Sequence, residues 1–347
     1  MIELKNISKQ YRGIAVNNDS GVYLWIRNFV SLTSNRATPL LALNDISLSV
    51  TPGEIFGIYG ENGAGKTTLI KILSGLLYPT IGEIKIDGHS DRKYIKSTVS
   101  YISTNGWMGL EWQLTAHENL ILYGNLFGLS GKILKHRCTD VLEAVDMTMD
   151  KDKFISQLSA GMRQKITIAR GLILNRPIVF YDEPSVSLDV QSAGSLRTLI
   201  KNDAAQNKRT AIIASHNAVD LSICDRIMFL WKGKIIAIGN TDELKRPFTG
   251  MEIIEIICLK QYRDFQIDKL QGIERIIYSQ SDGSRAGERD VQNIKIIYRK
   301  NEFSLNQLVN LLIEKSVTVQ SIKPVDFTLQ EMYEHYLEHN GGQNHAA

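Results

Sequence analysis

Cysteine is scarce in this chain of 347 residues: there are three, Cys138, Cys224 and Cys258, and they stand far apart. An odd count without paired spacing excludes a disulfide framework and a Cys-x-x-Cys zinc site, so all three read as ordinary cytosolic thiols. Long apolar runs are missing as well. No segment approaches the about 18–20 uninterrupted apolar residues that span a bilayer. The opening MIELKNISKQY has no basic stretch leading into an apolar run, so neither a membrane span nor a secretory signal is expected. Charge of one sign is absent too: 40 Lys and Arg against 37 Asp and Glu leave a net charge of only +3. Electrostatics therefore demand no phosphate backbone, and no nucleic-acid partner is expected.

What is present is ordinary globular material, 43% hydrophobic and 22% charged, enough to bury a core. The length suits one large domain and a smaller one. From Ala42 to Gly239 short apolar, β-branched runs alternate with helical patterns, the rhythm of an α/β domain with a mostly parallel sheet flanked by helices. Residues 55–59, 178–181 and 211–214 are nearly all apolar, as strands covered on both faces are. Each ends in polar residues. In open α/β sheets ligands sit beyond the carboxyl ends of the strands, so those polar residues can converge on one site. After Pro247 the pattern changes: strand-like 253–259, 274–278 and 294–299 are followed by helix-like 305–315 and 328–339. A first domain over 1–246, a small α+β domain over 247–340 and a disordered tail over 341–347 are expected, with a turn-rich loop at 281–287.

Gly60-Glu61-Asn62-Gly63-Ala64-Gly65-Lys66-Thr67-Thr68 fits G-x-x-x-x-G-K-[ST], follows the first of those strands and opens the helical run LIKILSGLL. Glycines let the backbone curl so that successive N–H groups face phosphates, and the helix N-terminus adds its dipole. Lys66 supplies a point charge, and Thr67 would place a hydroxyl on Mg²⁺. At the end of the second strand stand Asp182 and Glu183 before Pro184. One carboxylate near magnesium and the next toward an attacking water suit that spacing, Asp182 to the metal and Glu183 as base. The bland reading is a solvated acidic turn, which the preceding buried strand disfavours. His216 follows the third strand, where an imidazole could bond the γ-phosphate or hold the water and Glu183 in register.

LSAGMRQKITIARGLI, beginning at Leu158, resembles the signature of ATP-binding-cassette (ABC) transporter subunits. Ser159, Ala160, Gly161 and Met162 stand where that family usually has Ser-Gly-Gly-Gln, and Ser159 would cap the helix. The order of phosphate loop, signature, acidic pair, Ser187-Leu188-Asp189 and His216 is specific to the family. The resemblance covers about residues 1–240 and implies a P-loop NTPase fold with a helical subdomain at about 104–175. It further implies ATP and Mg²⁺ as cofactors, with Asn62, Gly63, Gly65, Thr68 and Asp189 among the nucleotide-binding residues and Tyr11 stacking on adenine. The implied partners are separate transmembrane permease subunits and a second copy, or a related ATPase, in a head-to-tail dimer. Such a subunit works at the cytoplasmic face of the membrane. The rivals are a soluble cassette acting on DNA or ribosomes, which usually carries a second cassette or a long coiled coil, neither seen here, and a nucleotide-dependent regulatory protein, against which Lys66, Asp182, Glu183 and His216 argue.

The sequence departs from the family where a magnesium-contacting glutamine is usual; Thr104 stands there, next to Asn105. The stretch EWQLT (111–115), the Gly-Met of the signature and the ending FTLQEMYEHYL resemble bacterial exporters of the daunorubicin-resistance type. An inserted segment at 17–38 carries Val22, Trp25, Ile26, Phe29 and Val30 on one helical stripe. It would lie against a membrane partner or pack on the sheet. Similar insertions occur in glycan exporters, which keeps that substrate class as an alternative.

Overall fold

The structure is a computed structural model that describes residues 1–11, 40–103, 109–259, 267, 270–280, 291–315 and 317–341. It divides into two compact units, Met1–Thr241 together with the chain from Tyr336, and Asp242–His335.

The first unit is built on a six-stranded sheet. Its strands are β3 (Ile55–Tyr59), β5 (Val99–Ser103), β6 (Ile178–Asp182), β7 (Thr210–Ser215), β8 (Arg226–Trp231) and β9 (Lys234–Gly239), in the order β5-β6-β7-β3-β8-β9. All neighbours run parallel except β8 and β9. Every residue of β3, β6 and β7 is buried, which is why the middles of these strands read as apolar runs.

A second sheet was not foreseen: β1 (Ile2–Tyr11), β2 (Leu40–Val50) and β4 (Ile81–Ile86) pair antiparallel in the order β2-β1-β4. Register shifts between Leu4 and Ile7 and again beyond Ile7 break the two-residue alternation that would have marked β1. Ile2, Leu4, Ile7 and Leu43 share one core with Phe56, Ile58 and the helix α1 (Lys66–Leu73). Burying each large side chain there contributes about 1.5–3 kcal/mol.

Helix α2 (Arg92–Thr98) leads into β5. Helices α3 (Ala116–Leu126), α4 (Gly131–Ala144) and α5 (Ala160–Leu172) fill the stretch before β6, and α6 (Val190–Asn207) joins β6 to β7. A side-chain carbon on Gly171 would lie 2.2 Å from Ile102, so only glycine lets α5 approach β5 this closely.

The second unit opens with the short helix α7 (Thr241–Lys245), whose first residue belongs to the first unit. Its sheet is antiparallel, β11-β12-β10-β13, formed by β10 (Met251–Leu259), β11 (Ile273–Gln280), β12 (Val291–Arg299) and β13 (Val319–Val325). Leu308 and Leu312 of α8 (Leu305–Glu314) seal Ile254, Ile256, Ile294 and Ile296. Helix α9 (Leu329–Gly341) begins here, with Met332 and Tyr333 buried. Residues 17–38, Thr104, Asn105, 281–287 and 342–347 lie outside the described residues. Among the described residues no helix is long and apolar enough to cross a membrane.

Candidate active site

The loop from β3 to α1 is shaped by what its neighbours leave no room for. A side-chain carbon on Gly60 would lie 2.3 Å from the Leu230 carbonyl oxygen. Gly65, at φ 110°, would meet the Ala42 carbonyl at 2.7 Å. The turn after β8 braces the loop, Gly233 N–H donating to the Ala64 carbonyl at 2.9 Å. Lys66 is 5% exposed. Its ammonium donates to the Gly60 and Glu61 carbonyls at 2.6 and 3.1 Å and lies 3.2 Å from Glu183 Oε1. A cavity of about 550 Å³ opens here, lined among others by Tyr11, Asn62, Gly63, Gly65, Lys66, Thr67, Thr68 and Glu183. Lys232, which the sequence did not single out, joins them. At the mouth, Tyr11 is 37% exposed and its hydroxyl lies 3.4 Å from Thr68 Oγ1.

Asp182 ends β6 and is 4% exposed. Oδ1 accepts from Thr67 Oγ1 at 3.1 Å, and Oδ2 accepts from the Tyr101 hydroxyl at 3.0 Å. Burial pushes the Asp182 carboxyl up from its ordinary value, and the bonds from Tyr101 and Thr67 oppose that. A hydroxyl beside a carboxylate at a phosphate cradle is the hard-oxygen donor set that Mg²⁺ takes alongside phosphate oxygens. The residues present therefore fit that ion.

Glu183 sits at φ 53°, the left-handed region, which aims neighbouring carboxylates at different partners. Its Oε2 lies 2.8 Å from His216 Nδ1 and accepts the His216 backbone N–H at 3.3 Å. Beneath them Asp220, 2% exposed, accepts from Ser185 Oγ at 2.5 Å and Ser215 Oγ at 2.8 Å and lies 3.6 Å from an Arg197 nitrogen. The acidic-pair loop, the His216 loop and α6 thus meet on one buried carboxylate.

The structure does not bring the signature to this cavity. Ser159 caps α5, accepting from Met162 N–H at 3.2 Å, and is exposed. Gly161 faces the Ser187-Leu188 segment: a side-chain carbon on it would lie 3.5 Å from the Ser187 carbonyl oxygen. Buried Gln164 donates to the Pro184 carbonyl at 3.2 Å, joining α5 to the acidic-pair loop. Asp189 caps α6, and hydrogen bonds from Ser192 hold its carboxyl below its ordinary value.

A glycine cradle with a buried lysine at a strand–helix junction, and two carboxylates at the end of a buried strand of the same sheet, define a P-loop nucleoside triphosphatase. The family model described as ABC transporter matches residues 43–186. The ABC transporter ATP-binding protein NatA of Bacillus subtilis (strain 168) is 34% identical over 226 residues, 64% of this chain and 91% of that protein. The doxorubicin resistance ATP-binding protein DrrA of Mycobacterium tuberculosis (strain CDC 1551 / Oshkosh) is 32% identical over 221 residues, 63% of this chain and 66% of that protein. Among solved structures, a dimeric post-hydrolysis state of an ATP-binding cassette bound to ADP and Pi superposes with a TM-score of 0.57 at 25% identity, covering 69% of this chain and 98% of that one. The chain belongs to the family of ABC transporter ATP-binding proteins, which bind and hydrolyse ATP. The resemblance to daunorubicin-resistance-type subunits is matched by DrrA.

Proposed function

We propose that the chain is the ATP-hydrolysing subunit of an exporter, working as a head-to-tail pair beneath separate transmembrane permease subunits at the cytoplasmic face of the membrane. The observation that carries this reading is the placement of Glu183 between the Lys66 ammonium at 3.2 Å and the His216 imidazole at 2.8 Å. ATP entering the cradle draws Lys66 off the Gly60 and Glu61 carbonyls onto its phosphates. Backbone N–H groups of the Gly60–Thr68 loop and the α1 N-terminus take the remaining charge. Tyr11 stacks on the adenine. Thr67 and Asp182 would hold Mg²⁺, which would supply charge neutralisation to the phosphates. Glu183 orients the attacking water and accepts its proton, and His216 keeps that carboxylate in register.

Ser159, Gly161, Met162 and Asp189 of one copy complete the cradle of the other, which accounts for a capped helix N-terminus exposed away from its own site. An export role is supported by the name of the DrrA relative, a resistance protein. Removing the base while keeping its shape is the direct test. Glu183→Gln should bind ATP as the unaltered protein does and lose about 10²–10⁴-fold in turnover, measured as phosphate release. Unchanged turnover would remove Glu183 from that role.

A further inference from the structure

We infer that Tyr101 is a positioning residue for the magnesium site, its phenol fixing the carboxylate that would hold the ion. The inference rests on the reading of Asp182 as a metal ligand. The terminal torsion of an aspartate is broad, so a bond to one oxygen leaves the plane of the carboxylate loosely set. Here both oxygens are engaged, Oδ1 by Thr67 at 3.1 Å and Oδ2 by Tyr101 at 3.0 Å. Thr67 is itself the second protein oxygen offered to the ion. With Thr67 serving the ion, its hold on Asp182 would loosen, and Tyr101 would keep the carboxylate aimed.

The reach is set by the sheet. Strands β5 and β6 are parallel with Ser103 opposite Asp182 and Tyr101 opposite Phe180. Tyr101 therefore starts two residues, about 6.6 Å, back along the strand. A tyrosine hydroxyl spans that distance; serine or threonine would fall short, and phenylalanine would arrive with no donor. The ring also walls a second cavity of about 240 Å³, with Ser103, Tyr123 and Arg170 among its lining. Mg²⁺ demands near-ideal octahedral geometry, so it is more sensitive than most ions to a ligand that swings. Outer-shell partners of metal ligands are typically worth roughly 10–100-fold in metal affinity, and Tyr101 has that relation to Asp182.

The test compares ATP binding in EDTA with ATP binding in Mg²⁺ by titration calorimetry, for the unaltered protein, Tyr101→Phe and Asp182→Asn. The ratio of the two affinities reports the ion and needs no turnover. Tyr101→Phe should bind ATP in EDTA as the unaltered protein does, while its Mg²⁺ advantage falls roughly tenfold. An unchanged ratio in Tyr101→Phe with a collapsed ratio in Asp182→Asn overturns the role of Tyr101 and leaves the metal reading standing. An unchanged ratio in Asp182→Asn overturns both. A loss of ATP affinity in EDTA with the ratio intact assigns Tyr101 to packing, and equally overturns the inference.

Discussion

Asp220 illustrates what a single buried charge requires. It is 2% exposed and meets two serine hydroxyls and, at 3.6 Å, a guanidinium, drawn from three segments of the chain. Truncating one partner of a buried charged cluster typically costs about 3–5 kcal/mol, because the remaining charge is left uncompensated. Asp220→Ala should lower chemical-denaturation stability by that order, and a midpoint equal to the unaltered protein's would show the cluster to be energetically idle. At this scale the sequence was uneven. Lys66, Asp182 and His216 announced themselves because each follows a strand whose apolar run is visible, or completes a fixed spacing. Asp220 and Tyr101 did not. Asp220 reaches Ser185, 35 residues away along the chain, and Tyr101 reaches Asp182, 81 residues away, relations that only folding creates.

Among the elements, helix termini carry information that residue identities alone miss. Thr115 and Glu118 form a reciprocal capping box at α3: Glu118 N–H donates to Thr115 Oγ1 at 3.1 Å, and Thr115 N–H donates to Glu118 Oε2 at 2.8 Å. Thr115→Ala frees the Glu118 N–H at that end and should cost about 1 kcal/mol, seen as a lower thermal midpoint. No shift would mean water replaces the cap without penalty. Strands β3, β6 and β7 were legible because burial on both faces leaves polar residues only at their ends. Strand β1 was hidden by its bulges. Strand β13 was hidden because few of its residues are apolar and it contains Pro324.

For the whole molecule, the sequence suggested two bodies with a change of pattern after Pro247, whereas the folded chain passes from one compact unit to the next between Thr241 and Asp242. The short helix α7 precedes that proline, so the turn in composition trails the turn in packing. The first unit holds the cradle with its carboxylates, whereas Ser159, Gly161 and Met162 stand apart from the cavity. In the head-to-tail pair proposed above, one chain supplies two half-sites that ATP joins between copies. Sedimentation equilibrium of Glu183→Gln tests this most directly, since blocked hydrolysis keeps ATP bound between the copies. Without nucleotide or with ADP the variant should sediment as a monomer, and with ATP as a dimer that Ser159→Arg abolishes while ATP binding persists. A protein that binds ATP yet stays monomeric at concentrations far above its ATP affinity would contradict it.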